Sequence, residues 1–211
     1  RGAVFTTREL MKACGEDLKG KRIIVQGFGN VGSHTAKFAA EAGAKLIGVS
    51  DAFAAFYDKN GLDMAKLWEL QNTERTIKNY PASSARISGA DLLMQECDIL
   101  IPAALGDAIT RGNANFIKAR WIIEGANHPI TPEADIVLTD RGIPVIPDIL
   151  ANAGGVYVSY LEWVQNHNNF YWKEDEVNAR LKTVMSAAFQ NVYKIAREKK
   201  INMRQAAVWV A

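Results

Sequence analysis

The stretch KRIIVQGFGNVG, residues Lys21–Gly32, decides the fold of this chain. Its apolar run, Arg22–Gln26, predicts a buried strand, because Ile and Val are enriched in strands. A helical pattern, Val31–Ala42, begins as the stretch ends. Three glycines at the spacing G-x-G-x-x-G lie between the two: Gly27, Gly29 and Gly32. A strand, this glycine turn and a helix in that order are typical of the start of a βαβ unit that binds a dinucleotide.

Each glycine has its own task in such a turn. Gly27 permits the tight bend, Gly29 leaves room for a pyrophosphate beside the backbone, and Gly32 lets the helix pack closely on the strand. The first turn of the helix, which contains Val31, then faces the phosphates with its free N–H groups. A purely structural glycine turn is the alternative, and the strand and helix around this one argue against it.

An acidic residue follows the next predicted strand, Lys45–Ser50. In dinucleotide-binding units, an acidic residue about 20 residues after the glycine turn accepts hydrogen bonds from the adenosine ribose. The interval from Gly27 to Asp51 agrees with this spacing. Its charge would repel a 2′-phosphate, and the surrounding VSDAFAAF holds no Arg or Lys, so NAD is favoured over NADP unless the fold brings a cation from elsewhere. A helix or turn cap is the alternative role for Asp51.

Short apolar runs and helical patterns alternate over the first 150 or so residues, which indicates a parallel sheet covered on both faces. The further predicted strands are Ala55–Tyr57, Asp98–Ile101, Trp121–Glu124 and Pro144–Ile146. The further predicted helices are Asp63–Gln71, Ala114–Ala119 and Pro132–Asp140. From about residue 151 two long helices follow, Ala151–Asn166 and Glu174–Lys199. The prediction is one α/β domain over residues 1–211, a Rossmann-type doubly wound, mostly parallel sheet with a C-terminal helical tail.

Composition excludes several classes of function. A net charge of +2 does not indicate a nucleic-acid-binding surface, and no apolar run in the sequence is long enough to cross a membrane. Cys14 and Cys97 are far apart, so we expect reduced core thiols and a cytoplasmic protein. The histidines have no metal-ligand spacing, and no nucleophile motif occurs. The histidines are His34, His128 and His167.

Three later segments follow predicted strands, at the carboxyl edge where open α/β sheets bind ligands. They are Ile101–Gly106, Glu124–Pro129 and Asp148–Val156. Their small residues allow a flat ligand to lie against the backbone. Asn127 and Asn152 offer amide donors and acceptors that suit a carboxamide, with a turn or cap role as the alternative for each.

At these motifs the chain resembles the glutamate dehydrogenases of the Glu/Leu/Phe/Val dehydrogenase superfamily, in their nucleotide-binding domain. The resemblance runs through QGFGNVG, VSD, IPAAL, EGANHPITPEAD, PDILANAGGVYVSYLEWVQN and NMRQAA, and so covers nearly the whole chain. The EGAN-x-P-x-TPEAD and NAGGV-x-VSY-x-EW runs are similar to the glutamate branch rather than to the leucine, phenylalanine and valine branch.

The resemblance implies specific contacts with the cofactor. Asn30 would contact the dinucleotide beside the glycine turn, and Asp51 the adenosine ribose. Ala103 and Ala104 would lie along the adenosine side, although the following Gly106-Asp107, where Glu-Asn is common, departs from the family. Asn127 would contact the nicotinamide end.

Two further residues belong, by the same resemblance, to the substrate cleft. Val156 and Ser159 would reach into it, and the Ser159 hydroxyl would bind the side-chain carboxylate of glutamate. His128 stands where many members have Gly, and we expect a packing variant rather than an acid or base. The aromatic residues of the tail are expected in core or interdomain packing rather than in a binding platform. They are Tyr157, Tyr160, Trp163, Phe170, Tyr171 and Trp172.

The activity implied is oxidative deamination of L-glutamate to 2-oxoglutarate and ammonia, by hydride transfer to NAD. The family keeps its catalytic Lys and Asp residues in a separate N-terminal domain. Both ends of this chain look cut, so we expect that domain to be missing, no catalytic residue to be present, and the chain alone to be inactive. A homohexamer is implied, with contacts largely in the missing domain. Another amino-acid dehydrogenase of the superfamily, or a nucleotide-binding module without a catalytic partner, remain the alternatives.

Overall fold

The computed structural model describes residues 1–81 and 85–211. Within them the chain forms a mostly parallel sheet with helices on both faces. The strands are β1 (Arg22–Gln26), β2 (Lys45–Ser50), β3 (Ala55–Tyr57), β4 (Ala85–Ile87), β5 (Ile99–Pro102), β6 (Trp121–Ile123) and β7 (Val145–Ile146). The helices are α1 (Gly2–Ala13), α2 (Asn30–Glu41), α3 (Met64–Thr73), α4 (Gly89–Leu93), α5 (Pro132–Asp140), α6 (Asp148–Ala151), α7 (Ala153–Asn168), α8 (Glu174–Lys199) and α9 (Met203–Val210).

The strand order is β4-β3-β2-β1-β5-β6-β7. β1 lies in parallel between β2 and β5, and β6 and β7 continue the parallel part. The chain therefore builds outward from β1 in one direction, then returns and builds in the other. A crevice opens at such a reversal, beyond the carboxyl ends of the strands. The doubly wound α/β fold predicted from the sequence is confirmed.

Two apolar cores cover the two faces of the sheet. Ile23 and Val25 of β1 point into one core, and Ile24 between them points into the other, because successive side chains of a strand alternate. The first core also receives Phe189 of α8 and Ala206 of α9, so the helical tail packs on the sheet domain. β1 is thus held from both sides at the point where the glycine turn begins.

The predicted strands occur within about one residue of their expected limits, and β3 pairs antiparallel with β2. The edge strand β4 and the short helix α4 had no prediction. The helix expected over Ala114–Ala119 is wrong: only one 3₁₀ turn forms, Ala114–Phe116. The guanidinium of Arg141 donates to the carbonyl oxygens of Ala114 and Ile117, which a continuing helix would need for its own N–H groups.

One expectation about side chains is corrected. Cys97 is a buried core thiol as expected, but Cys14 lies exposed at the end of α1. Of the two roles expected for the aromatic residues of α7, core packing does not apply to Tyr160 and Trp163, and interdomain packing stays a prediction. The rings of Tyr160 and Trp163 are exposed and stack along the outer face of the helix. In the described ranges, no helix has the length and apolar character needed to cross a bilayer.

Candidate functional site

A cavity of about 580 Å³ opens at the reversal point, at the carboxyl ends of β1, β2 and β5. Its walls bring together five residues that the sequence places in a cofactor site: Gly27, Gly29, Asp51, Ala103 and Ala104. The other predicted cofactor residues do not line this cavity: Asn30, Val31, Gly32, Asn127 and Asn152. Asn30 and Val31 are exposed on the first turn of α2, and Gly32 is the buried third residue of the same turn.

The three glycines of the turn differ in what surrounds them. Gly27 has φ +93°, and a methyl group on it would lie 2.7 Å from the backbone of Ala104. A methyl group on Gly32 would lie 1.8 Å from the carbonyl oxygen of Gly27. Beside Gly29, in contrast, no described atom lies within 4 Å of such a methyl group. Gly27 and Gly32 are therefore needed by the fold, and Gly29 leaves open space that a ligand can use.

The open space lies at the N-terminus of α2. Gly29 caps this helix, so no side chain accepts a hydrogen bond from its first N–H groups among the described residues. Free N–H groups and the helix dipole attract anions, so this end of the helix suits a pyrophosphate.

Gln26, the last residue of β1, also lines the cavity. Its Oε1 atom is buried, and no described group donates a hydrogen bond to it. An unsatisfied buried amide oxygen is costly, so a donor from a ligand or from water would stabilise it. The open position beside Gly29 and the free amide oxygen both fit a dinucleotide. Gln26 was not among the residues predicted from the sequence, although it directly precedes the glycine turn.

The Asp51 carboxylate lies in the cavity wall and already accepts four hydrogen bonds. Oδ1 accepts from the N–H groups of Phe53 and Ala54, at 2.7 and 2.8 Å. Oδ2 accepts from the Thr76 hydroxyl at 2.6 Å and from the Ile77 N–H at 2.7 Å. Burial works against ionisation, but these bonds hold the pKa of Asp51 below its usual value. Asp51 is thus the turn cap that the sequence left open as an alternative, and its charge is fixed at the edge of the site.

Arg75 lines the same cavity. It follows α3, and its φ of +59° places it in the left-handed region, which is uncommon for a residue other than glycine. The fold therefore does bring a cation from elsewhere to the cavity that Asp51 lines, although none lies near Asp51 in the sequence. No local pattern could have shown this, because Arg75 reaches the cavity from the loop after α3.

Asn127 and Asn152 meet at the ends of β6 and α6. The side-chain Nδ2 of Asn152 donates a hydrogen bond of 2.7 Å to Oδ1 of Asn127. Gly106 of the cavity wall adjoins this pair, since a methyl group on it would lie 3.6 Å from the carbonyl oxygen of Asn127. One amide nitrogen and one amide oxygen of the pair remain for a ligand, as a carboxamide requires.

The loop that carries Asn127 is held by its backbone. The N–H of His128 donates to Oδ2 of Asp148 at 2.8 Å, and its carbonyl oxygen accepts from the N–H of Asp107 at 2.9 Å. The φ of His128 is +47°, and its side chain is 89% exposed. The ring of His128 is therefore not packed in this domain, contrary to expectation, and the expectation that it is neither acid nor base stays a prediction.

Val156 and Ser159 lie on α7, which begins directly after Asn152. Both side chains are exposed, Val156 at 77%, and neither lines the cavity. Further along the same helix the rings of Tyr160 and Trp163 stack, and the ring of Tyr157 lies tilted against that of Tyr160. Among the residues that the structure describes, no group of His, Cys, Asp and Glu side chains could hold a metal ion.

Comparisons with known proteins agree on one family. A family model described as Glutamate/Leucine/Phenylalanine/Valine dehydrogenase matches residues 1–211. The NAD-specific glutamate dehydrogenase of Staphylococcus aureus (strain COL) is 45% identical over 206 residues, which are 98% of this chain and 49% of that protein. The cryptic catabolic NAD-specific glutamate dehydrogenase GudB of Bacillus subtilis (strain 168) is 45% identical over 210 residues, 100% of this chain and 49% of that protein.

Solved structures give the same result. The hetero-hexameric glutamate dehydrogenase of Thermus thermophilus, in its Leu-bound form, superposes with a TM-score of 0.88 at 32% identity, over 98% of this chain and 48% of that chain. Glutamate dehydrogenase of Peptoniphilus asaccharolyticus superposes with a TM-score of 0.81 at 37% identity, over the same shares. The chain therefore spans about half the length of the curated relatives that it matches.

Proposed function

We propose that this chain, which belongs to the Glutamate/Leucine/Phenylalanine/Valine dehydrogenase family, is the NAD-binding domain of a glutamate dehydrogenase. The complete protein would oxidise L-glutamate to 2-oxoglutarate and ammonia. The observation that carries the proposal is the cavity at the reversal of strand order, in which Gly29 stands open at the N-terminus of α2. The names of the two curated relatives support NAD as the cofactor and glutamate as the substrate.

The walls of the cavity suggest how the cofactor lies. The pyrophosphate would bind beside Gly29 and the first turn of α2, where Asn30 and Val31 stand. The adenosine would lie along Ala103 and Ala104, with its ribose at Asp51. For that contact the ribose hydroxyls would share a carboxylate that already accepts four hydrogen bonds.

The nicotinamide would reach the amide pair of Asn127 and Asn152. NAD, when bound, supplies the acceptor for the hydride of the amino acid. The two asparagines would hold the carboxamide and so set which face of the ring meets the substrate. Ser159, on the exposed side of α7, would donate a hydrogen bond to the side-chain carboxylate of glutamate, next to Val156.

The remaining chemistry needs residues that this chain does not supply. We place the catalytic Lys and Asp residues in an N-terminal domain, within the half of the relatives' length that the chain does not match. The exposed aromatic face of α7, with Trp163 at 61% exposure, would pack against that domain. Domain closure would bring substrate and nicotinamide together. We place the protein in the cytoplasm, since Cys14 and Cys97 are free thiols, and in a homohexamer.

The test is an assay of the complete protein with NAD and four amino acids in parallel: L-glutamate, L-leucine, L-phenylalanine and L-valine. We expect oxidation of glutamate in clear preference to the others. Preference for one of the other three would overturn the glutamate assignment and favour another dehydrogenase of the family. If calorimetry shows that NAD binds but none of the four is oxidised, the chain is a nucleotide-binding module without this activity.

A further inference from the structure

We propose that Arg204, on the C-terminal helix α9, is a positioning residue that holds the amide pair of Asn127 and Asn152 in place for the nicotinamide, through the buried carboxylates of Glu124 and Asp148. The inference rests on the proposed function, because it gives a role within the nicotinamide end of the site. Arg204 touches neither asparagine and does not line the cofactor cavity.

The guanidinium of Arg204 lies among three carboxylates. Nη2 donates to Oε1 of Glu124 at 2.6 Å, and Nε lies 3.3 Å from Oδ1 of Asp135 on α5. Nη1 lies 3.7 Å from Oδ1 of Asp148. Glu124 is completely buried, and burial raises its pKa, an effect that Arg204 opposes. A buried carboxylate is stabilised in its ionised form by such a partner, so the guanidinium of Arg204 favours the charged form of Glu124.

Glu124 in turn fixes Asp148. Its second oxygen, Oε2, accepts a hydrogen bond of 2.7 Å from the N–H of Asp148. Arg204 and Glu124 therefore hold Asp148 from two sides, by its side chain and by its backbone. Asp148 is the first residue of α6, so the start of this short helix is set by the pair.

Asp148 then reaches both asparagines. Its Oδ2 accepts from the N–H of His128, which belongs to the peptide that joins Asn127 to His128, so the backbone of Asn127 is fixed. Its carbonyl oxygen accepts from the N–H of Asn152 at 2.9 Å. The two asparagines thus depend on one aspartate, and that aspartate depends on Arg204 and Glu124.

Packing alone does not require an arginine at this position. Met203, Ala206 and Ala207 bury the apolar side of α9 in the core, so the helix is attached to the sheet domain without Arg204. The polar side of the helix is what reaches toward β6 and α6. This separation lets an experiment distinguish positioning from a general contribution to stability.

The test compares two ligands, NAD and ADP-ribose, which lacks the nicotinamide. Calorimetric titrations are made on the parent chain, on Arg204→Met and on Arg204→Lys. We expect Arg204→Met to weaken NAD about tenfold and ADP-ribose less than about twofold, since only the nicotinamide end loses its ordered hydrogen bonds. Arg204→Lys keeps a positive charge beside Glu124 but lacks the planar guanidinium that lies among the three carboxylates, so it should restore part of the NAD affinity.

Two further variants keep the test decisive. The double variant Arg204→Met with Glu124→Gln removes the buried charge that could unfold the single variant, and it should show the same selective loss of NAD. Arg120→Met breaks an exposed ion pair with Glu16 far from the site, and it should change neither ligand.

Equal losses of NAD and ADP-ribose in both Arg204→Met variants would show a merely structural role and overturn the proposal. Unchanged affinity for both ligands would overturn it as well. If the parent chain binds neither ligand, the proposed function itself fails, and the positioning role falls with it.

Discussion

The carbonyl oxygen of Gly27 occupies the space beside Gly32 in which a side chain would begin, so a methyl group there would be 1.8 Å away. Gly32→Ala must therefore push α2 away from β1. We expect the free energy of unfolding to fall by about 1–3 kcal/mol or more, measured by urea denaturation, with a loss of NAD binding. An unchanged midpoint would contradict this account of the turn.

Gly29→Ala is the matched variant, because its methyl group would meet no described atom within 4 Å and its φ of −77° suits any residue. We expect unchanged stability and at least about tenfold weaker NAD binding, since the methyl group would occupy the place of the pyrophosphate. For Gly29→Ala and Gly32→Ala alike, calorimetry measures the affinity for NAD and urea denaturation measures the stability. Undiminished affinity for NAD would remove Gly29 from the cofactor site.

Asp51 should make the stability of the domain depend on acid pH. Its folded pKa is lowered, despite burial, by hydrogen bonds from Thr76, Ile77 and the turn at Phe53. The stabilisation is therefore fully present above the unfolded pKa, near about 4, and is lost as the pH falls through the lower folded value. Asp51→Asn should flatten this acid limb in thermal unfolding measured from pH 6 downward. If the stability of the parent and of Asp51→Asn fell with the same slope at acid pH, other carboxylates would be the cause of the acid sensitivity.

Arg75 should govern whatever affinity the cavity has for NADP. It is the cation that lines the cavity together with Asp51, and a 2′-phosphate would pair with it. Arg75→Gly should weaken NADP about tenfold more than NAD, whereas Arg75→Lys should not. Because φ is +59°, the glycine variant should be at least as stable as the parent in thermal unfolding. An unaltered ratio of NADP to NAD affinity would exclude Arg75 from the recognition of the ribose.

The two thiols should react at very different rates. Burial raises the pKa of Cys97 to about 12, while Cys14 is exposed. In the folded chain we expect a disulfide reagent such as dithionitrobenzoate to titrate one thiol quickly, and a second only after denaturant is added. Cys14→Ser should abolish the fast phase and leave the slow one. Two fast thiols in the parent would show that Cys97 is open to solvent.

Ser159 is tested in the complete protein. Ser159→Ala should raise the KM for L-glutamate about tenfold, because the proposed hydrogen bond to the side-chain carboxylate would be lost. The KM for NAD serves as the internal control and should stay within about twofold. A rise in both values, or in neither, would remove Ser159 from the substrate site.

The strands of the sheet could be predicted where local signals are strong. Buried strands such as Arg22–Gln26, followed by glycine and a helical pattern, agree with the structure because propensity, burial and turn chemistry point the same way. β4 has only three residues at the sheet edge, too few for a pattern. The helix expected after Ala114 fails for a nonlocal reason, the guanidinium of Arg141 on its carbonyl groups.

The candidate site likewise contains residues that could be predicted from the sequence and residues that could not. Residues that directly follow strands, such as Asp51 and Ala103, could be placed together from the sequence, because the carboxyl ends of parallel strands share one edge. Arg75 and Arg204 could not, since each arrives from a helical segment whose position depends on tertiary packing. NMRQAA marked the segment of Arg204, but nothing in its letters points to Glu124.

The wall at Gly27 is closed by Ala104, which follows the neighbouring strand β5 and lies 77 residues further along the sequence. No continuous segment of the chain therefore contains the site, which exists only when β1, β2 and β5 have assembled. Ligand occupancy should accordingly report global folding, and NAD at a hundredfold excess over its Kd would add about 2.7 kcal/mol to the unfolding free energy. Resistance to proteolysis should then rise across all three strands together, as expected of one cooperative unit.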